Sequence, residues 1–168
     1  MSLWKRVKNL ISPPPTPKPE RTVFDSVPGD ILEVSLVTYE VIGRTYYPAR
    51  GSVLLTLRDG ADIRYLTVDK REHLQYELYS AIDGRLDSFD EVPTTLELDG
   101  IDYMLEERFN CRVVTQGSTP FPSGGEQYVW NFQSDNRKQL RVEWQDGRFM
   151  LYEGESVLPA DIAMLRGT

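Results

Sequence analysis

An all-β fold is predicted by three features of this 168-residue chain. Apolar and polar residues alternate with period two in row after row. Asp-Gly dipeptides fall between the rows. The first half of the chain is echoed in the second. Leu32-Glu33-Val34 and Tyr39-Glu40-Val41-Ile42-Gly43-Arg44 return 64 positions later as Leu96-Glu97-Leu98 and Tyr103-Met104-Leu105-Glu106-Glu107-Arg108. Leu66 and Val68 match Leu140 and Val142 at an offset of 74, and Leu78-Tyr79 matches Leu151-Tyr152 at 73. The simplest reading is two copies of one antiparallel β-meander, about 28–82 and 93–165, packed as a sandwich or a pair of half-barrels within a domain spanning 27–168.

In chain order, residues 1–12 predict a short amphipathic helix. Leu3, Trp4, Val7, Leu10 and Ile11 recur at three- and four-residue spacing, and Lys5, Arg6, Lys8 and Asn9 take the other face. Residues 13–26 open with Pro13-Pro14-Pro15-Thr16-Pro17-Lys18-Pro19, which stops the helix and predicts an extended linker. From Pro28-Gly29-Asp30 the period becomes two. Leu32, Val34 and Leu36 form one row; Val53, Leu55 and Leu57 the next; then Leu96 and Leu98, and Ile101, Tyr103 and Leu105. Tyr128, Trp130 and Phe132 alternate with Gln127, Asn131 and Gln133, and Leu140, Val142 and Trp144 with Arg141, Glu143 and Gln145. Such rows read as half-buried antiparallel strands, about ten in all, with the polar partners facing water. Asp59-Gly60, Asp83-Gly84, Asp99-Gly100 and Asp146-Gly147 suit the positive φ of hairpin turns. Ser80 to Pro93 reads as an acidic connector, Gln116 to Glu126 as a long inserted loop, and Leu158 to Leu165 as a short helix or turn.

Composition bounds the function classes. The net charge is −7. Residues 1 to 24 carry Lys5, Arg6, Lys8, Lys18 and Arg21 against Glu20, a net of +4, which leaves −11 on the rest. An acidic body repels phosphate backbones, so nucleic-acid binding is disfavoured. No run reaches the ~18 apolar residues of a membrane span, and the basic start lacks a secretory apolar region. One cysteine, Cys111, makes no internal disulfide and fits a reducing, cytoplasmic setting.

No catalytic residue, metal ligand or cofactor is predicted. His73 stands alone, with no acid or nucleophile supplied by motif. Cys111 reads as a buried thiol. Asp83, Asp87, Asp90 and Glu91 lack calcium-loop spacing. Glu106 and Glu107 point to opposite faces of a strand. Phe121, between Pro120 and Pro122, is either offered to a partner or tucked over the core.

The order of these motifs resembles a known family. Pro28-Gly29-Asp30-Ile31-Leu32-Glu33-Val34 with Tyr39-Glu40-Val41-Ile42-Gly43, then Leu98-Asp99-Gly100-Ile101-Asp102-Tyr103, Tyr128-Val129-Trp130-Asn131-Phe132, Leu140-Arg141-Val142-Glu143, and the run from Gly147-Arg148-Phe149 to Glu155 resemble the bacterial domain-of-unknown-function family numbered 4178, over about residues 27–165. The family has no assigned catalytic residues. Its resemblance implies company with phage-shock-protein-A-like membrane-remodelling proteins and polyamine-synthase-like genes, and hence envelope maintenance. The opening Met1-Ser2-Leu3-Trp4-Lys5-Arg6 is also similar to the leader of phage-shock-protein-A proteins.

The expectation is a non-enzymatic accessory protein, cytoplasmic and peripheral at the inner face of the membrane. Its head (Leu3, Trp4, Lys5, Arg6, Val7, Lys8, Leu10 and Ile11) would touch an anionic membrane or a protein partner, such as a phage-shock-protein-A-like one. The alternatives are a small-ligand module, for a cation such as a polyamine, and an enzyme of unrecognised type.

Overall fold

The computed structural model describes residues 20–84 and 86–167. The predicted helix over 1–12 and the linker up to Pro19 lie outside them. In the rest of the linker, Glu20 to Ser26, Val23–Asp25 form a 3-10 turn, and Val23 and Ser26 are buried, Val23 in the core.

Twelve antiparallel strands follow: β1 Ile31–Val34, β2 Val37–Tyr47, β3 Ser52–Asp59, β4 Asp62–Lys70, β5 Leu74–Ile82, β6 Thr95–Leu98, β7 Ile101–Arg112, β8 Val114–Gly117, β9 Glu126–Gln133, β10 Lys138–Gln145, β11 Arg148–Val157 and β12 Ile162–Arg166. They form one open sheet in the order β12-β1-β2-β3-β4-β5-β11-β10-β9-β7-β6, with β8 on the far end of β2. The expected separate sheets are thus a single sheet, because β5 and β11 zip together from Tyr76↔Val157 to Ile82↔Leu151.

Each hairpin sets its register where the backbone can turn. Asp99-Gly100 and Asp146-Gly147 both take positive φ at the turn centre. At Asp59-Gly60 only Gly60 does, Asp59 being the last paired residue. Asp83-Gly84 makes no hairpin, since the chain leaves β5 there and crosses to a 3-10 turn at Phe89–Glu91. Two strands were read otherwise from sequence. β8 occupies the start of the expected 116–126 loop, and of the segment expected as a short helix or turn, Pro159–Asp161 form a 3-10 turn while the remainder is β12. Both are short and gain their ladder from strands distant in sequence, which local pattern does not display.

Three cores result. Leu32, Val34, Tyr39, Val41, Leu55 and Leu66 fill the first half, and Tyr103, Trp130, Phe132, Leu140 and Val142 the second. Between the halves lie Tyr47 and Leu54 from one side and Cys111, Val113 and Val129 from the other. The halves also meet at β8, which runs on from β7 to pair with Gly43 to Tyr46. A side chain on Gly43 would strike the Ser118 carbonyl at 1.8 Å, so this crossing demands glycine.

Candidate functional site

Chemistry-bearing groups collect at the junction of the halves. β10 has both faces covered. Leu140 and Val142 enter the second core, while Arg141, Glu143 and Gln145, expected to face water, are 5%, 0% and 1% exposed, and Gln139 before them is 8% exposed. The reason is tertiary: the first half packs over the polar face. Side chains two apart on a strand are neighbours, and Arg141 Nε donates to Glu143 Oε2 at 2.9 Å. Glu143 Oε1 accepts the Tyr152 hydroxyl at 2.7 Å. The Tyr47 hydroxyl lies 2.5 Å from Gln127 Oε1 and 3.2 Å from Glu143 Oε2, one phenolic proton serving two acceptors. Gln127 Nε2 donates to Gln145 Oε1 at 3.2 Å, and Gln145 Nε2 to the Pro122 carbonyl at 2.9 Å. The network therefore ties the β8–β9 loop to both halves.

Burial disfavours charge here, and the partners compensate. Desolvation, then Glu143, holds the Tyr47 and Tyr152 phenols above the ordinary tyrosine range, and desolvation with Glu77 does the same for Tyr79. Arg141 is pushed down by desolvation, but the charge of Glu143 and the hydrogen bond to it oppose this and keep the guanidinium protonated, beside a Tyr47 phenol that is itself neutral. The network ties β10 to both halves, and the Tyr47 and Tyr152 hydroxyls that meet Glu143 are sealed from solvent.

Two clefts reach this region. A polar one of about 290 Å³ has Arg141 on its wall, together with Arg50, Asp69, Arg71 and Glu107. Glu107 pairs with both Arg50 and Arg71 and accepts a hydrogen bond from Asn131 Nδ2. An aromatic one of about 360 Å³ is lined by Phe89, Asp90, Arg108, Phe109, Tyr128 and Trp130. Phe89 stacks on Trp144 with centroids 4.1 Å apart.

The residues singled out from sequence are not assembled. His73 is exposed beyond β4. Cys111 is buried, its Sγ donating to the Arg112 carbonyl at 3.1 Å. Glu106 is exposed and Glu107 half-buried across a β-irregularity. No group of three His, Cys, Asp or Glu among the described residues could hold a metal ion. Phe121 is 4% exposed with Arg148 over its ring at 4.6 Å, so the tucked reading is the one the structure shows and the ring is not offered at the surface. The head residues lie outside the described residues. Sequence reading missed Tyr47, Gln127, Arg141, Glu143 and Gln145; the one available cue was opposite charge at Arg141 and Glu143, two apart.

Surface reading missed Leu36. It sits at the centre of the β1–β2 hairpin turn with φ 68°, after Ser35 at 49°, and is 90% exposed. Val37 beside it is 38% exposed. Left-handed backbone costs a branched side chain roughly 1 kcal/mol, and the β6–β7 turn places a glycine, Gly100, at its second position.

A twelve-stranded antiparallel sheet with a filled polar junction defines an all-β domain. The chain belongs to the family described as Domain of unknown function (DUF4178), which matches residues 27–159. β12 lies beyond that match. No curated protein and no solved structure matches the chain. No helix among the described residues is long and apolar enough to cross a membrane.

Proposed function

We propose that this protein is a non-enzymatic interaction protein, whose β-body docks a protein partner and whose basic N-terminal segment touches an anionic membrane or that partner. The observation that carries the reading is Leu36: an apolar side chain held outward at a turn whose backbone favours glycine. Nothing inside the fold gains from it.

The halves are read as copies of one meander, and several registers support this. Leu32 opposes Tyr39 and Leu96 opposes Tyr103. The pairing shifts between Val41 and Gly43 in β2, and between Leu105 and Glu107 in β7, again 64 positions on. Tyr152↔Ala81 and Tyr79↔Gly154 flank Ser80↔Glu153 symmetrically. Phe24-Asp25 and Val27-Pro28 recur as Phe89-Asp90 and Val92-Pro93. Leu66 opposes Leu55, and Val142 opposes Trp130, which pairs Leu66 with Val142 at an offset of 76 instead of 74. Leu55 to Leu66 is 11 positions and Trp130 to Val142 is 12, so the β9–β10 connection is one residue longer than the β3–β4 one.

A second reading, a small-ligand module, is favoured by the aromatic cleft beside Asp90. Aromatic faces suit an organic cation, although Arg108 on the same cleft opposes one.

Two measurements test the main reading. Full-length protein should co-sediment with anionic vesicles, less so in high salt, and Trp4→Glu or removal of residues 1–12 should abolish it. Equal sedimentation without those residues would assign the head to a protein partner. A photo-crosslinker at position 36 should give a discrete protein adduct in cells that one at exposed Asp62 does not, and equal labelling from both would reject the tip as a contact. Leu36→Gly should leave stability unchanged or raise it by up to about 1 kcal/mol.

A further inference from the structure

The two outer edges of the sheet are filled unequally. β1 and β6 are each four residues long, each follows a 3-10 turn and a Val-Pro pair, and each places leucine opposite a buried tyrosine. Beyond β1 runs β12, with Glu33↔Ala163 and Val34↔Ile162, and Ser35 N donates to the Asp161 carbonyl at 2.8 Å. Beyond β6 no strand pairs among the described residues. Burial follows this difference. Leu32 and Val34 are 0% exposed, whereas Leu96 and Leu98 remain partly exposed.

The free groups of that edge follow from hairpin geometry. In a two-residue hairpin the pair flanking the turn is hydrogen-bonded, and bonded pairs recur at every second residue. Leu98 with Ile101 and Leu96 with Tyr103 are such pairs, and Leu105 N donating to the Thr94 carbonyl at 2.8 Å continues the ladder. The N–H and C=O groups of Thr95 and Glu97 therefore point outward.

We propose that β6 is the docking edge for an extended segment of a partner protein, added antiparallel as β12 is added to β1. The inference rests on reading the halves as copies. β12 shows what such an edge takes: Ile162 and Met164, two apart, pack against the first core. A strand on β6 would likewise lay two alternate apolar residues beside Leu96 and Leu98. Its other face should be basic. Glu97 stands directly opposite Asp102 with both exposed, a like-charge cross-strand pair that is unfavourable as it stands. The same charges disfavour a second copy pairing β6 with β6, which would bring the two Glu97 side chains together. Residues 13–19 of this chain are unsuited, because their five prolines lack the N–H a ladder requires.

The probe is a synthetic peptide of residues 160–166 carrying Ala163→Lys and Leu165→Lys, added to the intact protein. Amide exchange at Thr95 and Glu97 should slow, with β1 amides unchanged. N-methylation of the peptide at the nitrogens facing β6 should weaken binding about five- to tenfold per lost bond; methylation at the alternate nitrogens should not. Glu97→Lys should weaken this lysine-bearing peptide without altering the fold. Three outcomes overturn the proposal: no slowing at Thr95 and Glu97; slowing at β1 instead, where the peptide would merely replace β12; or slowing only after residues 1–19 are removed, which would give the edge to the protein's own head. The duplication fails separately, if residual dipolar couplings show that the Leu32–Tyr39 and Leu96–Tyr103 hairpins differ in backbone geometry.

Discussion

Glu143 has no exposure to solvent, yet its carboxylate meets Arg141, Tyr152 and Tyr47. A buried ion pair contributes little net stability, because desolvating both charges offsets their attraction, but removing one partner leaves the other uncompensated. Glu143→Ala should therefore destabilise by about 3–5 kcal/mol. Replacing both partners, Arg141→Met with Glu143→Leu, should recover most of that loss, as a double-mutant cycle by denaturant unfolding would show. Additive losses would mean that the pair does not act as a unit. Nothing in the alternation of β10 distinguishes these residues from an ordinary solvated face, and the opposite charges two apart were the one cue to this part of the site. The same limit applied to Leu36, which completes a period-two row with Leu32 and Val34 and yet sits in a turn.

At the scale of elements, the rows that pattern reveals are those with one clear apolar face. β1, β2, β3, β6, β7, β9 and β10 were legible for that reason, down to Tyr39 in β2 and Tyr103 in β7, which are 4% and 2% exposed. β8 and β12 were not, since neither alternates over enough residues, and each is held by a ladder to the other end of the chain. The row through Trp130 carries the second core, with Phe132 beside it and Val142 across from it. Trp130 is 6% exposed, so Trp130→Ala should cost about 3–5 kcal/mol, seen as a lowered denaturation midpoint. An unchanged midpoint would make this residue a surface contact in the aromatic cleft. His73, exposed beyond β4, is the natural control and should shift the midpoint little.

Across the whole molecule, the junction of the halves is lined with phenols that cannot ionise in place. Tyr47, Tyr79 and Tyr152 are buried, and desolvation together with Glu143 or Glu77 raises each above the ordinary value of 10.0. In the unfolded chain the same phenols titrate near that ordinary value. Below it both states hold their protons and the contribution to stability is complete. As pH rises above it, the unfolded state loses protons that the native state keeps, so ionisation pulls the equilibrium toward unfolding. Stability should fall on the alkaline side, from the ordinary tyrosine pKa upward. Because these residues span both halves, the halves should be lost together. Phenolate absorbance followed alongside near-ultraviolet circular dichroism checks this: the buried tyrosines should ionise only as tertiary signal disappears. Complete phenolate formation with that signal intact would mean water reaches the junction, and that the halves part without unfolding.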